Sequence, residues 1–305
     1  MLTIPLVVIK LRVFIMRRSI LMFTSSMIIF GTIGIIRRYI PLSSGLLAFF
    51  RGVIGVLFLC IYCKLRKRKI RHNIGWKKVL WLALSGAAIG FNWILLFEAY
   101  NHTSIPVATL CYYMQPTIVI FLSPLLLNEG LTKKKLICAL TAVLGMVFIS
   151  GVIEDPGEAA SDLTGILLGL GAALLYATVI IMNKRIGQTD AYEKTIIQLA
   201  AAFIVLIPYI LFTEDLQAIQ FSVESLILVL VVGLVHTGIA YALYFSGMDG
   251  LSGQTAAILS YIDPVTALVL SAIILKESLS ILGIIGAALI LGSAILVSVT
   301  RNEKR

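Results

Sequence analysis

"CYYMQPTIVIFLSPLLLNEGLT" at residues 111–132 and "LSYIDPVTALVLSAIILKESLS" at 259–280 are two versions of one segment. Laid over each other without a gap, they pair Pro116 with Pro264 and Glu129 with Glu277, both at an offset of 148 residues (264 − 116). The same offset carries Phe97 onto Phe245, Ala108 onto Ala256, Tyr113 onto Tyr261 and Gln115 onto Asp263. Each segment is apolar over about 20 residues, the length that crosses a bilayer as a helix. In each, a central proline removes a backbone donor and leaves the carbonyl four residues back, that of Ser260 in the second, without its usual partner.

The rest of the chain agrees. It is 59% hydrophobic and 13% charged with a mean hydropathy of +1.01, too little polar surface for a water-soluble domain of 305 residues. Ten apolar runs follow one another, at 19–39, 42–62, 79–100, 104–127, 133–152, 163–182, 195–213, 225–245, 253–275 and 280–299. Their lengths are helical, and only helices or closed barrels satisfy their backbone in lipid. The charges then sort by gap. One side receives Lys10, Arg12, Arg17 and Arg18, "KLRKRKIRHNIGWKK", "KKK" at 133–135, "NKR" at 183–185, Lys194 and "RNEKR"; the other receives "EDPGEAASD" at 154–162 with Glu214, Asp215 and Glu224. Arg37, Arg38 and Lys276 fall against the trend. The bias predicts an all-α integral membrane protein of ten transmembrane helices with both termini cytoplasmic. The net charge of +10 is thus a signature of topology, and no nucleic-acid partner is expected.

Five spans per half is odd, so the second copy enters the membrane upside down. The expected organisation is a cytoplasmic or interfacial extension over 1–18, a first five-helix repeat over 19–152, an acidic extracytoplasmic linker over 153–162, a second repeat over 163–300, and a tail over 301–305. Met16, before Arg17 and Arg18, resembles a natural start. Cys60, Cys63, Cys111 and Cys138 lie in or beside apolar runs and read as small hydrophobes, without a disulfide framework. Inverted repeats with a broken helix in each half point to a secondary transporter whose site lies near the midplane.

Two five-helix units, each with a proline-interrupted fourth helix, a turn reading "NEGLT" or "KESLS" and a Gly/Ala-rich last helix ("LICALTAVLGMVFISG", "IIGAALILGSAILVS"), resemble the EamA repeat of the drug/metabolite transporter superfamily. The resemblance implies helices 1–4 and 6–9 around a central cavity, with helices 5 and 10 peripheral. It also implies export or exchange of a small molecule, and it does not carry the substrate across.

Charges inside a span are costly, and so point to function. Arg51 lies about mid-span and suits a substrate carboxylate or phosphate, or a structural ion pair. Asp263, beside Pro264, could hold an amine, take a proton, or pair with Arg51. Glu98 lies near the outer end, as a gate or coupling acid, or as a partner for Arg37 or Arg38. His236 is a candidate proton relay, or a satisfied interior histidine. Trp93, Tyr113, Gln115, Tyr241 and Tyr261 are candidate wall residues, with Tyr112 and Tyr244 beside them; each could equally be packing. Pro116 and Pro264 break their helices. Gly86/Gly90 and Gly165/Gly169 have the spacing of close helix contacts.

The histidines, His72, His102 and His236, show no metal spacing, and no phosphate-binding loop is present. No metal, cofactor or catalytic residue is expected. The sequence therefore reads as a multi-pass carrier in the cell membrane. It would take a zwitterion such as an amino acid, satisfying Arg51 and Asp263 together, or alternatively a hydrophobic cationic drug or amine. A membrane enzyme on lipid-linked substrates is the reading from another class. Proton coupling and a homodimer are compatible with the sequence without being required by it.

Overall fold

The computed structural model describes residues 3–299, apart from 38, 68–73, 104, 150–151, 155–162, 188, 216–221, 275 and 277–279. His72 and Glu277 lie outside the described residues. Among the described residues every regular element is helical. The first half runs α1 (Thr3–Gly31), α2 (Ile33–Arg37), α3 (Ser44–Leu65), α4 (Trp76–His102), α5 (Ile105–Tyr112), α6 (Gln115–Leu126) and α7 (Lys133–Ile149). The second runs α8 (Leu163–Ile186), α9 (Ala191–Thr213), α10 (Val223–Val231), a π-helical stretch (Val232–Ile239), α11 (Ala240–Asp249), α12 (Gly253–Ser260), α13 (Ile262–Ile274) and α14 (Ile281–Val299). Among the described residues, seven helical segments are long and apolar enough to cross a membrane, among them Ser44–Leu65, Trp76–His102, Val107–Leu126 and Gly253–Ile274.

The offset found in sequence is also the offset of the structure. Shifted by 148 residues, both ends of α5 fall on both ends of α12, and the start of α7 falls on the start of α14. Even the turns agree: Asn128 and Lys276 are 148 residues apart and both left-handed, at φ +54° and +55°. The proline chemistry explains the interruptions. The carbonyls orphaned by Pro116 and Pro264 belong to Tyr112 and Ser260, and α5 and α12 end at those two residues. Each proline then sits in the first turn of the following helix, where its missing donor costs little. The breaks therefore fall ahead of the prolines rather than at them.

α1 runs unbroken from Thr3. Two features depart from the sequence expectation. Lys194, expected in a basic gap, is the fourth residue of α9 and is fully buried. The eighth span is not a uniform helix, because its middle turns are π-helical, a local widening found mostly at functional positions.

The halves interlock. α4 packs against α8 and α9, and in the reciprocal arrangement α11 and the π-helical stretch pack against α1 and α3. α7 and α14 lie against one another. The α4–α9 crossing depends on two glycines. A β-carbon on Gly86 would lie 2.2 Å from the Gln198 carbonyl oxygen, and one on Gly90 would lie 2.6 Å from that of Ala202. Gly86→Ala is expected to cost about 1–3 kcal/mol by forcing the helices apart. It should lower the melting temperature in detergent, whereas Gly292→Ala, with nothing within 4 Å, should not.

Candidate functional site

Arg51 projects from α3 onto the indole of Trp93 in α4, its guanidinium carbon 4.4 Å from the ring centroid. This is a cation–π contact, favourable for a cation withdrawn from water. Tyr241 of α11 completes the setting, beside both Arg51 and Trp93. Trp93 and Tyr241 are themselves 148 residues apart, so one position of the repeat supplies a ring from each half. The Arg51 Nε is buried and has no hydrogen-bond partner. A buried cationic donor left unpaired is expensive, and such an atom calls for a functional explanation.

Asp263 stands in the first turn of α13, with Tyr113, Tyr112 and Tyr100 close enough to feel its charge. Arg51 and Asp263 do not pair with one another; Lys194 and Asp249, by contrast, form an ion pair at 2.7 Å. Tyr241 nevertheless interacts electrostatically with both. Tyr112, Tyr113 and Asp263 are half-buried where these helices meet.

A continuous row of rings runs through the core between the two charged residues. Phe30 meets Tyr241 at 5.1 Å between centroids, Tyr241 meets Tyr244 at 6.3 Å, Tyr244 meets Tyr176 at 6.4 Å, Tyr176 meets Tyr112 at 6.1 Å, and Tyr112 meets Tyr113 at 5.5 Å. The row begins at the Arg51 end and finishes beside Asp263. Such rings offer apolar area and hydroxyls together, which suits an organic solute.

His236, in the π-helical stretch, holds its Nε2 2.7 Å from the Thr32 hydroxyl, at the break between α1 and α2. Thr32 donates to the Ile29 carbonyl at 2.7 Å, which assigns the hydrogen of the His236 contact to Nε2. The Arg51 charge reaches this ring as well. Nothing in the local sequence singles out Thr32; its role appears through the packing of the first span on the eighth.

Three expected site residues sit elsewhere. Tyr261 is fully buried with Met146, Val265 and Ile290, and its hydroxyl lies 3.1 Å from that of Thr117; its surroundings are those of packing. Gln115 is buried at the break, its Nε2 donating to Ser260 at 3.4 Å, so it joins the two interrupted helices. Glu98 accepts from Tyr209 at 2.7 Å and from Asn101 at 3.3 Å. The expected partners Arg37 and Arg38 cannot be placed, since Arg38 and the Arg37 side chain lie outside the described residues. Asn92 donates to the Ala172 carbonyl at 2.6 Å and ties α4 to α8.

Charged side chains held inside apolar helices, as Arg51 and Asp263 are, are a mark of solute-handling membrane proteins. The EamA-like transporter family model matches residues 17–151 and again residues 163–299. The chain belongs to the EamA-like transporter family, and it is a multi-pass membrane transporter. It is 30% identical over 281 residues to the uncharacterized transporter YxxF of Bacillus subtilis, covering 92% of this chain and 89% of that protein. It is 27% identical to protein PecM of Dickeya dadantii, over 73% of this chain and 74% of that protein. A crystal structure of a protein 20% identical has the same fold, with a TM-score of 0.78 over 91% of this chain and 95% of the other.

Proposed function

We propose that the protein carries a small organic zwitterion, an amino acid or a close relative, out of the cell by alternating access. In this reading ten helices cross the cell membrane with both termini inside, as two inverted repeats over 19–152 and 163–300. One observation carries the substrate class. Arg51 and Asp263 stand at the two ends of one row of aromatic rings, are of complementary chemistry and form no ion pair with one another. A ligand bearing a carboxylate and an ammonium would satisfy both, with the unpaired Arg51 Nε as a donor to the carboxylate. Neutralising both charges in one ligand also removes most of the cost of keeping them in the membrane.

The test is a thermal-shift panel on the purified protein in detergent, since a ligand of the folded state raises its melting temperature. Amino acids, carboxylates, phosphates and cationic drugs are compared. An amino acid is expected to raise the melting temperature in the native protein, and neither in Arg51→Ala nor in Asp263→Asn. The tyrosines gathered around Asp263 favour one other reading, an amine or cationic drug held by Asp263 alone. Stabilisation by cations that survives Arg51→Ala would replace the zwitterion with that substrate.

A further inference from the structure

α3 and α9 occupy equivalent places in the two halves, and they pack against each other. Their contacts show that they run antiparallel. At one end Tyr62, late in α3, stacks on Tyr192, early in α9, with ring centroids 5.4 Å apart and planes within 15°. At the other end Ser43, the residue before α3, donates to the carboxylate of Glu214, the residue after α9. A β-carbon on Gly45 would lie 3.1 Å from that same carboxylate.

The two ends carry opposite charge. Shifted by 148 residues, Arg66 and Lys67, just past α3, fall on Glu214 and Asp215, just past α9. Their surroundings differ too. Glu214 is tied back onto Ser43. Lys64, Arg66 and Lys67 are exposed, and the Arg66 guanidinium carbon lies 5.8 Å from the centre of the Tyr62 ring. The stacked pair Tyr62 and Tyr192 corresponds to Ile210 and Ser44, so only the basic end has a platform of rings. Lys67 is left-handed at φ +47°, a conformation uncommon outside glycine, and the turn it makes keeps the three basic residues together. The α9 side does not cancel them. Asp190 caps its helix, accepting from the Tyr192 and Glu193 amides at 3.0 and 3.3 Å, Glu193 is buried, and Lys194 is paired with Asp249.

α3 is long and apolar enough to cross a membrane, so its last turn lies where hydrocarbon gives way to headgroups. Tyrosine settles at that level, and a guanidinium presents a planar fork of donors that matches phosphate oxygens. We infer that the end of α3, with Tyr192 beside it, is a binding site for the headgroup of an anionic phospholipid. Arg66, seated on Tyr62, holds the phosphate, and Lys64 and Lys67 add to the attraction. The acidic end of the same helix pair has no such site. The inference is independent of what the protein carries.

The test titrates lipid into the purified protein in detergent and follows the melting temperature, which a ligand of the folded state raises. Phosphatidylglycerol is compared with phosphatidylcholine of the same chains and with inorganic phosphate. Phosphatidylglycerol should stabilise the native protein at the lowest concentration. Arg66→Gln should raise its half-saturating concentration about fivefold, the factor expected for one basic residue at an anionic surface. Removing Lys64, Arg66 and Lys67 together, each as glutamine, should raise it about a hundredfold. Lys133→Gln, at an exposed lysine opening α7, should leave it unchanged. Each shift is read against the variant's own lipid-free melting temperature, so a change in basal stability does not enter. Equal stabilisation by the two lipids overturns the inference. So does an equal loss in Lys133→Gln and Arg66→Gln, which would make the effect one of net charge. Stabilisation by inorganic phosphate that Arg66→Gln abolishes also overturns it, replacing the lipid with a soluble anion.

Discussion

Arg51→Ala is expected to reduce transport by a factor of about 30 to several thousand while the protein still folds and inserts. The range follows from the cost of truncating one partner of a desolvated, hydrogen-bonded charge pair, about 2–5 kcal/mol, at roughly a factor of ten per 1.4 kcal/mol. The measurement is counterflow, in proteoliposomes, of whichever amino acid stabilises the native protein. Folding should survive because Arg51 leans on Trp93 and has no ion-pair partner to strand when it is removed. Arg51→Lys separates charge from shape. Lysine keeps the cation but lacks the planar fork and stacks less well on the indole, so transport should recover only in part. Counterflow within threefold of native in Arg51→Ala would make Arg51 a structural cation seated on Trp93, and the carboxylate anchor would be lost with it.

The repeat was legible in the sequence because it is written in residues whose chemistry is local. A proline orphans a carbonyl wherever it sits in a helix, so Pro116 and Pro264 announce the ends of α5 and α12 without any knowledge of packing. Arg51 and Asp263 were equally legible, since a charge in an apolar span is conspicuous on any fold. What the sequence could not supply was partnership. Whether Arg51 pairs with Asp263 depends on how α3 and α13 are disposed, and no spacing within the chain encodes that. Thr32 is an ordinary polar residue until His236 is seen beside it. Tyr261 and Tyr113 occupy equivalent positions, yet one is fully buried and the other half-buried; the halves are alike in sequence pattern but not in surroundings. Lys194 was misjudged for a related reason. At the end of an apolar run a lysine reads as a solvated topology signal, and only the fold shows that α11 brings Asp249 to meet it.

That pair gives the largest expected effect on stability. Lys194 is fully buried and its ammonium lies 2.7 Å from the Asp249 carboxylate, which keeps 24% of its side chain exposed. Removing the exposed partner strands the buried one. Asp249→Ala should therefore cost about 3–5 kcal/mol, the penalty for leaving a buried charge without compensation. It should appear as a marked fall in the melting temperature in detergent. Lys194→Met, which strands only the partly solvated carboxylate, should cost less. Replacing both, as Lys194→Met with Asp249→Leu, should recover most of the loss, because a buried pair is often matched by apolar residues of similar volume. A double variant as unstable as Asp249→Ala would show that the pair acts through its geometry instead. Both residues belong to the second half, and they tie α9 to α11 rather than one half to the other.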